Sequence, residues 1–268
     1  MSTHIYSNVA VNIFQMLKVF RGSFLVTGSR LKHSQSSHKW LQRHNNDRYV
    51  KQARVDGLPS RAYYKLEQMD LLCKRGRGNR KAIFSNGQTI VELGAAPGGW
   101  SLYAATRIGP QGMLVAIDLL PLDKDVLLRL QGQDHEESKN PTFSFYQGDF
   151  TSNQAQDWIV KTMSEKNKNP ETTGVNFSPC VDVVMSDMAP NFTGDSRTDA
   201  IRTVALCEEA LVFAVGTKSF LGIRDDTTDE KSWKSVGMLK NGGSFLCKYF
   251  SCGPQDEKDL LAVRSPFP

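Results

Sequence analysis

The stretch VELGAAPGGW, residues Val91 to Trp100, decides the fold of this 268-residue chain. The apolar run from Thr89 to Leu93 has the length and composition of a short buried strand, and glycines follow it at once. Gly94, Gly98 and Gly99 permit backbone conformations and close approaches that a side chain would prevent. A strand, a glycine-rich turn and a following helix predict the first unit of an alternating α/β domain, with a ligand at the turn.

Four further short apolar runs end in polar residues and predict the remaining strands. They are Met113 to Ile117 before Asp118, Phe143 to Tyr146 before Asp149, Val181 to Met185 before Asp187, and Ser244 to Cys247 before Lys248. Helices are predicted at Asp47 to Cys73 and Ser101 to Arg107, and surface insertions at Ser164 to Ser178 and Gly222 to Lys234. This alternation predicts a mostly parallel, doubly wound sheet whose site lies at the carboxyl edge.

The glycine loop differs from the fingerprint that binds dinucleotides. Ala95 and Ala96 stand where the middle glycine would be, and Pro97 removes an amide donor, so a ligand without phosphates suits the loop better than NAD. Asp118 ends a strand where a carboxylate can accept hydrogen bonds from two ribose hydroxyls, and Asp149 could receive the exocyclic amine of an adenine. Taken singly, both residues could equally be helix caps or turn formers.

The first part of the chain has the composition of a targeting segment. No acidic residue occurs in residues 1–46, and polar residues spaced by three interrupt the apolar stretch from Val9 to Val26. Such an amphipathic, basic, acid-free leader is typical of a mitochondrial transit peptide and is too interrupted to span a membrane. We therefore expect a leader over residues 1–38, a catalytic domain over 39–268 and a location in the mitochondrial matrix, with a disordered tail as the alternative.

A basic segment follows the leader and predicts contact with a polyanion. Between Lys39 and Lys81, twelve Lys or Arg residues stand against four acidic ones. Trp40, Tyr49, Tyr63 and Tyr64 are interleaved with them, which suits phosphate neutralisation combined with base stacking in RNA. The candidate RNA-binding residues are Arg43, Arg48, Lys51, Arg54, Arg61 and Lys65. A solvated charged face, with at least one of Tyr63 and Tyr64 packed in the core, is the simpler alternative.

The five cysteines form no pattern in the sequence. They are scattered, odd in number and without a C-x-x-C pair or a histidine at zinc-ligand spacing. A reducing compartment is therefore favoured over secretion, and no metal site is predicted.

Six motifs in order resemble those of one enzyme family. They are SRAYYKLEQMD (Ser60 to Asp70), VELGAAPGGWS, AIDLLPLD (Ala116 to Asp123), QGDF, VVMSDMAPNFTG (Val183 to Gly194) and GGSFLCKYF (Gly242 to Phe250). Together they resemble FtsJ/RrmJ-type ribosomal RNA ribose 2′-O-methyltransferases. With the leader, the WLQRH…DRYVKQAR preamble is similar to the mitochondrial members that modify a uridine in large-subunit ribosomal RNA.

The resemblance implies a Rossmann-like fold that binds S-adenosyl-L-methionine, and a monomer that acts on ribosomal RNA in the large subunit rather than on DNA. By this likeness the cofactor would be held by Gly94, Pro97, Gly98, Gly99, Trp100, Asp118, Asp149 and Asp187. Lys65, Asp187 and Lys248 would be three members of a catalytic tetrad, with Lys248 as the proton acceptor. A lysine can act as a base near neutral pH only where burial or a neighbouring cation lowers its pKa.

The C-terminal part departs from the family pattern. Family members continue beyond the last lysine with a helix, two strands and the glutamate that completes the tetrad, whereas only Tyr249 to Pro268 follow here. Glu257 lies in the wrong context for that role. We therefore expect the last two strands to be missing and the fifth strand to form a sheet edge. A catalytically weak or inactive RNA-binding isoform that acts in ribosome assembly is the alternative to an active enzyme.

Overall fold

A five-stranded parallel sheet forms the centre of the domain. The computed structural model describes residues 47–75, 82–132, 140–167, 180–220 and 233–248. Its strands are β1 (Thr89–Leu93), β2 (Met113–Asp118), β3 (Thr142–Gln147), β4 (Val181–Ser186) and β5 (Leu239–Cys247). They lie in the order β3-β2-β1-β4-β5, and every neighbouring pair is parallel. All five strands therefore end at the same edge of the sheet, as the alternating sequence pattern predicts.

Helices separate the strands along the chain. Within the described ranges they are α1 (Arg48–Val55), α2 (Ala62–Arg75), α3 (Gly99–Ile108), α4 (Lys124–Leu130), α5 (Asn153–Asn167), α6 (Ser196–Phe220) and α7 (Trp233–Val236). Helix α6 is interrupted by non-helical backbone at Gly216. The described helices and strands thus alternate from β1 to β5, which is the doubly wound arrangement of an α/β domain.

Each face of the sheet has its own apolar core. Alternate side chains of a strand point to opposite faces, so Val91 joins the core under α5 and α6, whereas Ile90 joins the core under α2, α3 and α4. Ile159 and Phe213 are the large contributions of α5 and α6 to the first core. Because both faces are covered, the central strands are apolar throughout, and a charged residue inside one of them must be buried.

The strands match the sequence prediction closely except at the start of β5. Strands β1 to β4 agree with the predicted runs to within one residue at each end. Strand β5 begins at Leu239, five residues before the predicted Ser244, because Asn241, Gly242 and Gly243 break the apolar pattern without ending the strand. The pairing of β4 with β5 shifts register between Val181 and Val183, which accommodates this irregular beginning.

The predicted single helix from Asp47 to Cys73 was wrong. A turn divides it into α1 and α2, and Gly57 adopts a left-handed conformation there with φ 63°. Pro59, two residues later, has no backbone N–H to continue a helix. The predicted insertions also begin and end elsewhere, since α5 continues to Asn167 and Trp233–Val236 form a short helix.

Several predictions concern residues outside the described part of the chain. The leader, the boundary between residues 38 and 39, Arg43 and the expected loss of the last two strands all belong to residues 1–46 or 249–268. Within the described ranges, β5 forms one edge of the sheet and β3 the other. No helix in those ranges is long and apolar enough to cross a membrane.

Asp70 joins three parts of the domain on one face of the sheet. Its side chain is almost fully buried. The Ile83 N–H donates to Oδ1 at 2.7 Å, and the Tyr103 hydroxyl and Arg107 Nε donate to Oδ2 at 2.9 and 3.1 Å. This carboxylate therefore ties α2 to α3 and to the segment that enters β1.

Replacing Asp70 with alanine should lower the free energy of unfolding by about 3 kcal/mol, because buried donors would lose their acceptor. Urea unfolding measures the change. Asp125, an exposed acidic residue at the start of α4, is the matched control, and Asp125→Ala should cost less than about 0.5 kcal/mol. Equal losses in the two variants would contradict the role given to Asp70.

Candidate active site

The loop between β1 and α3 is shaped by glycines that pack against other parts of the protein. Gly94 and Gly98 have φ of 78° and 109°, in the region that favours glycine. A Cβ at Gly94 would lie 2.7 Å from Met188, and one at Gly98 would lie 2.5 Å from Val126. Other side chains thus occupy the space beside these α-carbons. Close packing, as well as the approach of a ligand, therefore explains why these positions are glycine.

Gly99 and Trp100 are buried by packing, whereas Pro97 is exposed. The Ala96–Pro97 peptide bond is cis. A Cβ at Gly99 would lie 2.5 Å from Ser60 Oγ, so this glycine lets α3 begin directly beside the turn before α2. The side chain of Trp100 is buried in the core under α2, α3 and α4. The predicted cofactor contacts of these three residues stay predictions.

Asp118 lies at the end of β2 and is held by the glycine loop. The Ala96 N–H donates to Oδ2 and the Leu120 N–H donates to Oδ1, both at 2.8 Å. These bonds orient the carboxylate toward the loop and leave each oxygen a further lone pair. Leu119 and Leu120, which follow it, are exposed at 66% and 65%. The structure therefore brings Asp118 to the glycine loop, where the sequence placed it.

Asp149 forms the turn that the simpler interpretation of the sequence predicted. Thr151 donates to Oδ1 from its N–H at 2.9 Å and from its hydroxyl at 2.8 Å, and the residue is exposed. The Oδ2 atom accepts no hydrogen bond from the described residues. Asp149 follows β3, the strand next to β2. It can therefore form this turn through one oxygen and contact a ligand through the other.

Asp187 and Lys248 form an ion pair across the ends of β4 and β5. The Lys248 ammonium lies 2.5 Å from Asp187 Oδ1 and donates to the Asp187 carbonyl oxygen at 2.7 Å. The two side chains are 19% and 21% exposed. Burial raises the pKa of Asp187, and the adjacent Lys248 ammonium opposes that shift. The pair is thus partly shielded from solvent, and the two groups are close enough for the charge of each to affect the position of the other.

Lys65 acts on this pair from α2. Desolvation is the largest of the effects that lower the pKa of Lys65, and the charge of the neighbouring Arg61 guanidinium is the next. The Asp187 carboxylate raises that pKa and the Lys248 ammonium lowers it further, so all three charges interact. The charges of Asp187 and Lys248 therefore act on Lys65, whose side chain is exposed.

The loop that carries Asp187 away from β4 is anchored by Asp199 in the first turn of α6. Thr193 donates to Asp199 Oδ1 from its N–H at 2.7 Å and from its hydroxyl at 2.8 Å, and the Gly194 N–H donates to Oδ2 at 3.0 Å. The hydrogen bond from the Thr193 N–H is the main factor that lowers the pKa of Asp199. These hydrogen bonds join the loop that follows β4 to the first turn of α6.

Glu92 is a buried acid at the site, and the sequence patterns assigned it no role. It lies inside β1, is fully buried, and accepts a hydrogen bond from the Ser101 hydroxyl at 2.6 Å through Oε2. Its Oε1 atom has no hydrogen-bond partner among the residues that the structure describes. Burial raises its pKa to about 8, and the Asp187 and Asp118 carboxylates act in the same direction. The signal in the sequence was an acidic residue inside an apolar strand, directly before the glycine loop.

The predicted RNA-binding residues lie mainly on α1 and at the start of α2. Arg48, Lys51 and Arg54 are exposed on α1. Arg48 donates to the Tyr49 hydroxyl at 2.7 Å, and Arg61 forms an ion pair with Asp47. The ring of Tyr63 packs edge-on against Tyr103 with centroids 5.3 Å apart, so Tyr63 belongs to the core, as the alternative expected.

The sequence of this chain matches the model of the FtsJ-like methyltransferase family over residues 58–266. That range spans the glycine loop, both strand-end aspartates and the ion pair. The chain belongs to the FtsJ-like methyltransferase family. Its five-stranded parallel sheet is accordingly an α/β methyltransferase fold, and the resemblance found in the sequence motifs is confirmed at the level of the family.

Among solved structures, this chain is similar to one at low sequence identity. It is a crystal structure of a protein described as a candidate ribosomal RNA methyltransferase from Plasmodium falciparum. The two sequences are 16% identical, the match covers 75% of this chain and 82% of that one, and the TM-score is 0.44. A likeness of this size adds nothing to the assignment made from the family.

Replacing Glu92 with glutamine should change how the stability of this FtsJ-like domain depends on pH. The raised pKa of Glu92 means that the folded state keeps a proton that the unfolded chain releases above its ordinary pKa of about 4.5. The wild type therefore loses stability as the pH rises from about 5 to about 8, whereas Glu92→Gln has no such proton to lose. Relative to wild type, the variant should gain on the order of 3 kcal/mol over that range.

Urea unfolding at pH 5, 6.5 and 8 measures this difference. Asp125→Asn, at an exposed position, is the control and should follow the wild-type curve. A constant difference between wild type and Glu92→Gln at all three pH values would show that Glu92 is ionised in the folded protein.

Proposed function

We propose that this chain transfers a methyl group from S-adenosyl-L-methionine to the ribose 2′-oxygen of a uridine in mitochondrial large-subunit ribosomal RNA, in the matrix, as a step of ribosome biogenesis. Membership of the FtsJ-like family supports methyl transfer. The observation that supports transfer to a ribose hydroxyl is the Lys248–Asp187 ion pair at the edge where β1 ends in the glycine loop. The charges of this pair also act on Lys65.

The residues at this edge suit the proposed cofactor by their chemistry. Asp118 offers two oriented carboxylate oxygens with lone pairs to spare, which is the requirement for accepting from the two hydroxyls of a ribose. Asp149 offers an oxygen that accepts from none of the described residues and could take an amine donor. Asp187 could receive a hydrogen bond from an ammonium group. S-adenosylmethionine would supply a methyl group bonded to a sulfonium sulfur. The sulfur leaves as a neutral thioether, which needs no proton.

The acceptor hydroxyl is a poor nucleophile, so the chain must orient it and take up its proton. Lys248 is proposed as the proton acceptor and Asp187 as the residue that orients its nitrogen. As a base, the Lys248 amine must be uncharged when it takes up that proton. The charges of Asp187 and Lys248 both act on Lys65, which supports a role for Lys65 in tuning the pair as well as in contacting RNA.

RNA is the proposed substrate because the reaction needs a 2′-hydroxyl, which DNA lacks. Exposed Lys51 and Arg54 on α1 can neutralise phosphates, and Arg61 lies close enough to Lys65 to lower its pKa. The basic surface and the proposed catalytic group therefore adjoin, and a phosphate bound at α1 would lead its strand toward the ion pair.

The proposed target and compartment rest on the sequence, on the basic leader and on the WLQRH…DRYVKQAR stretch that follows it. Mapping ribose methylation in mitochondrial ribosomal RNA from cells with and without this chain tests both. Loss of one 2′-O-methyl uridine in the large-subunit RNA is expected. An unchanged methylation map with impaired subunit assembly would instead favour the RNA-binding, catalytically inactive alternative.

Replacing Lys248 with alanine should reduce methyl transfer by roughly 100-fold or more, because the proposed proton acceptor is lost. Transfer of labelled methyl groups to RNA measures the rate, and calorimetry measures cofactor binding, which should change little. Lys240 is a matched control because it lies on the same strand and also pairs with an aspartate, Asp182, at 3.0 Å. Lys240→Ala should keep wild-type turnover, and wild-type turnover in Lys248→Ala would overturn the assignment.

Replacing Lys51 and Arg54 together with alanine should weaken RNA binding equally for all sequences. The slope of log K against log salt should fall by about 1 to 2 units, because two phosphate contacts are lost. Filter binding across a salt series measures the slope. Lys161→Ala, at an exposed position on α5, is the control. An unchanged slope in the double variant would place the RNA on another surface.

A further inference from the structure

Two cysteines that are 40 residues apart in the sequence meet beside the Lys248–Asp187 pair. Cys207 lies on α6 and Cys247 is the last residue of β5, and their Sγ atoms are 3.4 Å apart. Cys247 is 5% exposed, whereas Cys207 is half-buried. Both belong to the core under α5 and α6. No sequence pattern indicates this pair, because the helix and the strand bring the two cysteines together only in the fold.

Both sulfur atoms contact the backbone of the proposed proton acceptor. The carbonyl oxygen of Lys248 lies 3.7 Å from Cys207 Sγ and 3.5 Å from Cys247 Sγ. Cys247 is also the register partner of Ser186, the residue before Asp187. A movement of Cys247 would therefore displace Lys248 directly and disturb the strand ends that hold the ion pair.

We propose that Cys207 and Cys247 form a reversible disulfide under peroxide, and that this bond switches off methyl transfer. The effect on activity rests on the proposed function, whereas formation of the bond does not. The sulfurs are already in contact, and closing them to a bonded distance of about 2.05 Å requires an approach of about 1.4 Å. That approach moves the Cys247 side chain, at the end of β5, toward α6.

The chemistry needs one equivalent of hydrogen peroxide as the oxidant. Cys207 is the less buried of the two residues, so its thiolate attacks one peroxide oxygen and the O–O bond breaks. The leaving hydroxide takes a proton to give water, and Cys207 becomes a sulfenic acid. The Cys247 sulfur then attacks the Cys207 sulfur, the S–O bond breaks, and hydroxide leaves with the Cys247 proton as a second water. Two thiols are oxidised and one peroxide is reduced to two waters.

Burial keeps Cys247 in the role of the second thiol. Its hydrogen bond to Cys207 and its burial both raise its pKa, so it remains protonated until the neighbouring sulfur has been oxidised. After closure Cys207 carries no hydrogen for the Lys248 carbonyl oxygen. The backbone at Lys248 thus loses this thiol contact at the same moment that Cys247 moves toward α6.

The bond itself is tested on the full chain, reduced and then treated with hydrogen peroxide. Digestion without reductant followed by mass spectrometry should give a peptide that links Cys207 to Cys247 within one molecule. Cys207→Ser should abolish this peptide, and Cys73→Ser, at another half-buried position, should keep it. A link from either cysteine to Cys252, a link between molecules, or no link at all would overturn the proposal.

The effect is tested by two independent measurements on the same oxidised sample. Methyl transfer to ribosomal RNA should fall by roughly tenfold or more, recover with dithiothreitol, and be insensitive to peroxide in Cys207→Ser. Acylation of the Lys248 amine, with Lys240 as internal reference, should change between reduced and oxidised chain. If the reduced chain transfers no methyl groups, the proposed function fails and the acylation result still decides the switch. A disulfide that changes neither measurement would overturn it.

Discussion

The site depends on the parallel register of three strand ends. The Asp187 N–H donates to the Leu93 carbonyl oxygen at 3.0 Å, and the Lys248 N–H donates to the Ser186 carbonyl oxygen at 2.8 Å. These two backbone bonds continue the ladders of β1, β4 and β5 by one residue beyond the strands. They place a carboxylate and an amine, 61 residues apart in the sequence, side by side. A shift of β5 by one residue would turn Lys248 to the other face of the sheet and separate the pair.

A second constraint follows from crowding three acidic residues under this edge. Asp118 and Asp187 both act electrostatically on Glu92, so three full negative charges would repel each other in poorly hydrated surroundings. The structure meets this in three ways. Asp118 receives backbone N–H donors, Asp187 receives an ammonium, and Glu92 keeps its proton beside Ser101. The neutral acid is the least expensive solution for the position that water reaches least.

The sequence predicted what depends on local pattern and missed what depends on contact. Strand ends and the order of motifs come from apolar runs and polar stops, so Asp118 and Asp187 were placed correctly at the sheet edge. The break between α1 and α2 was missed because a charged, mildly apolar segment carries a helical pattern across Gly57. The Cys207–Cys247 contact and the Asp199 anchor could not be predicted, since each joins α6 to a segment whose distance from it is set by the whole fold.

Lys65 connects the two halves of the proposed activity. It lies on α2, one turn after Arg61, so a cation that would meet phosphates also acts on the Lys65 amine. A phosphate near Arg61 would bring negative charge next to Lys65 and raise the pKa of that amine. Lys65 would then stay charged while RNA is bound. The bound phosphate and the Asp187 carboxylate would act on the Lys65 amine in the same direction, and the Lys248 ammonium would oppose them.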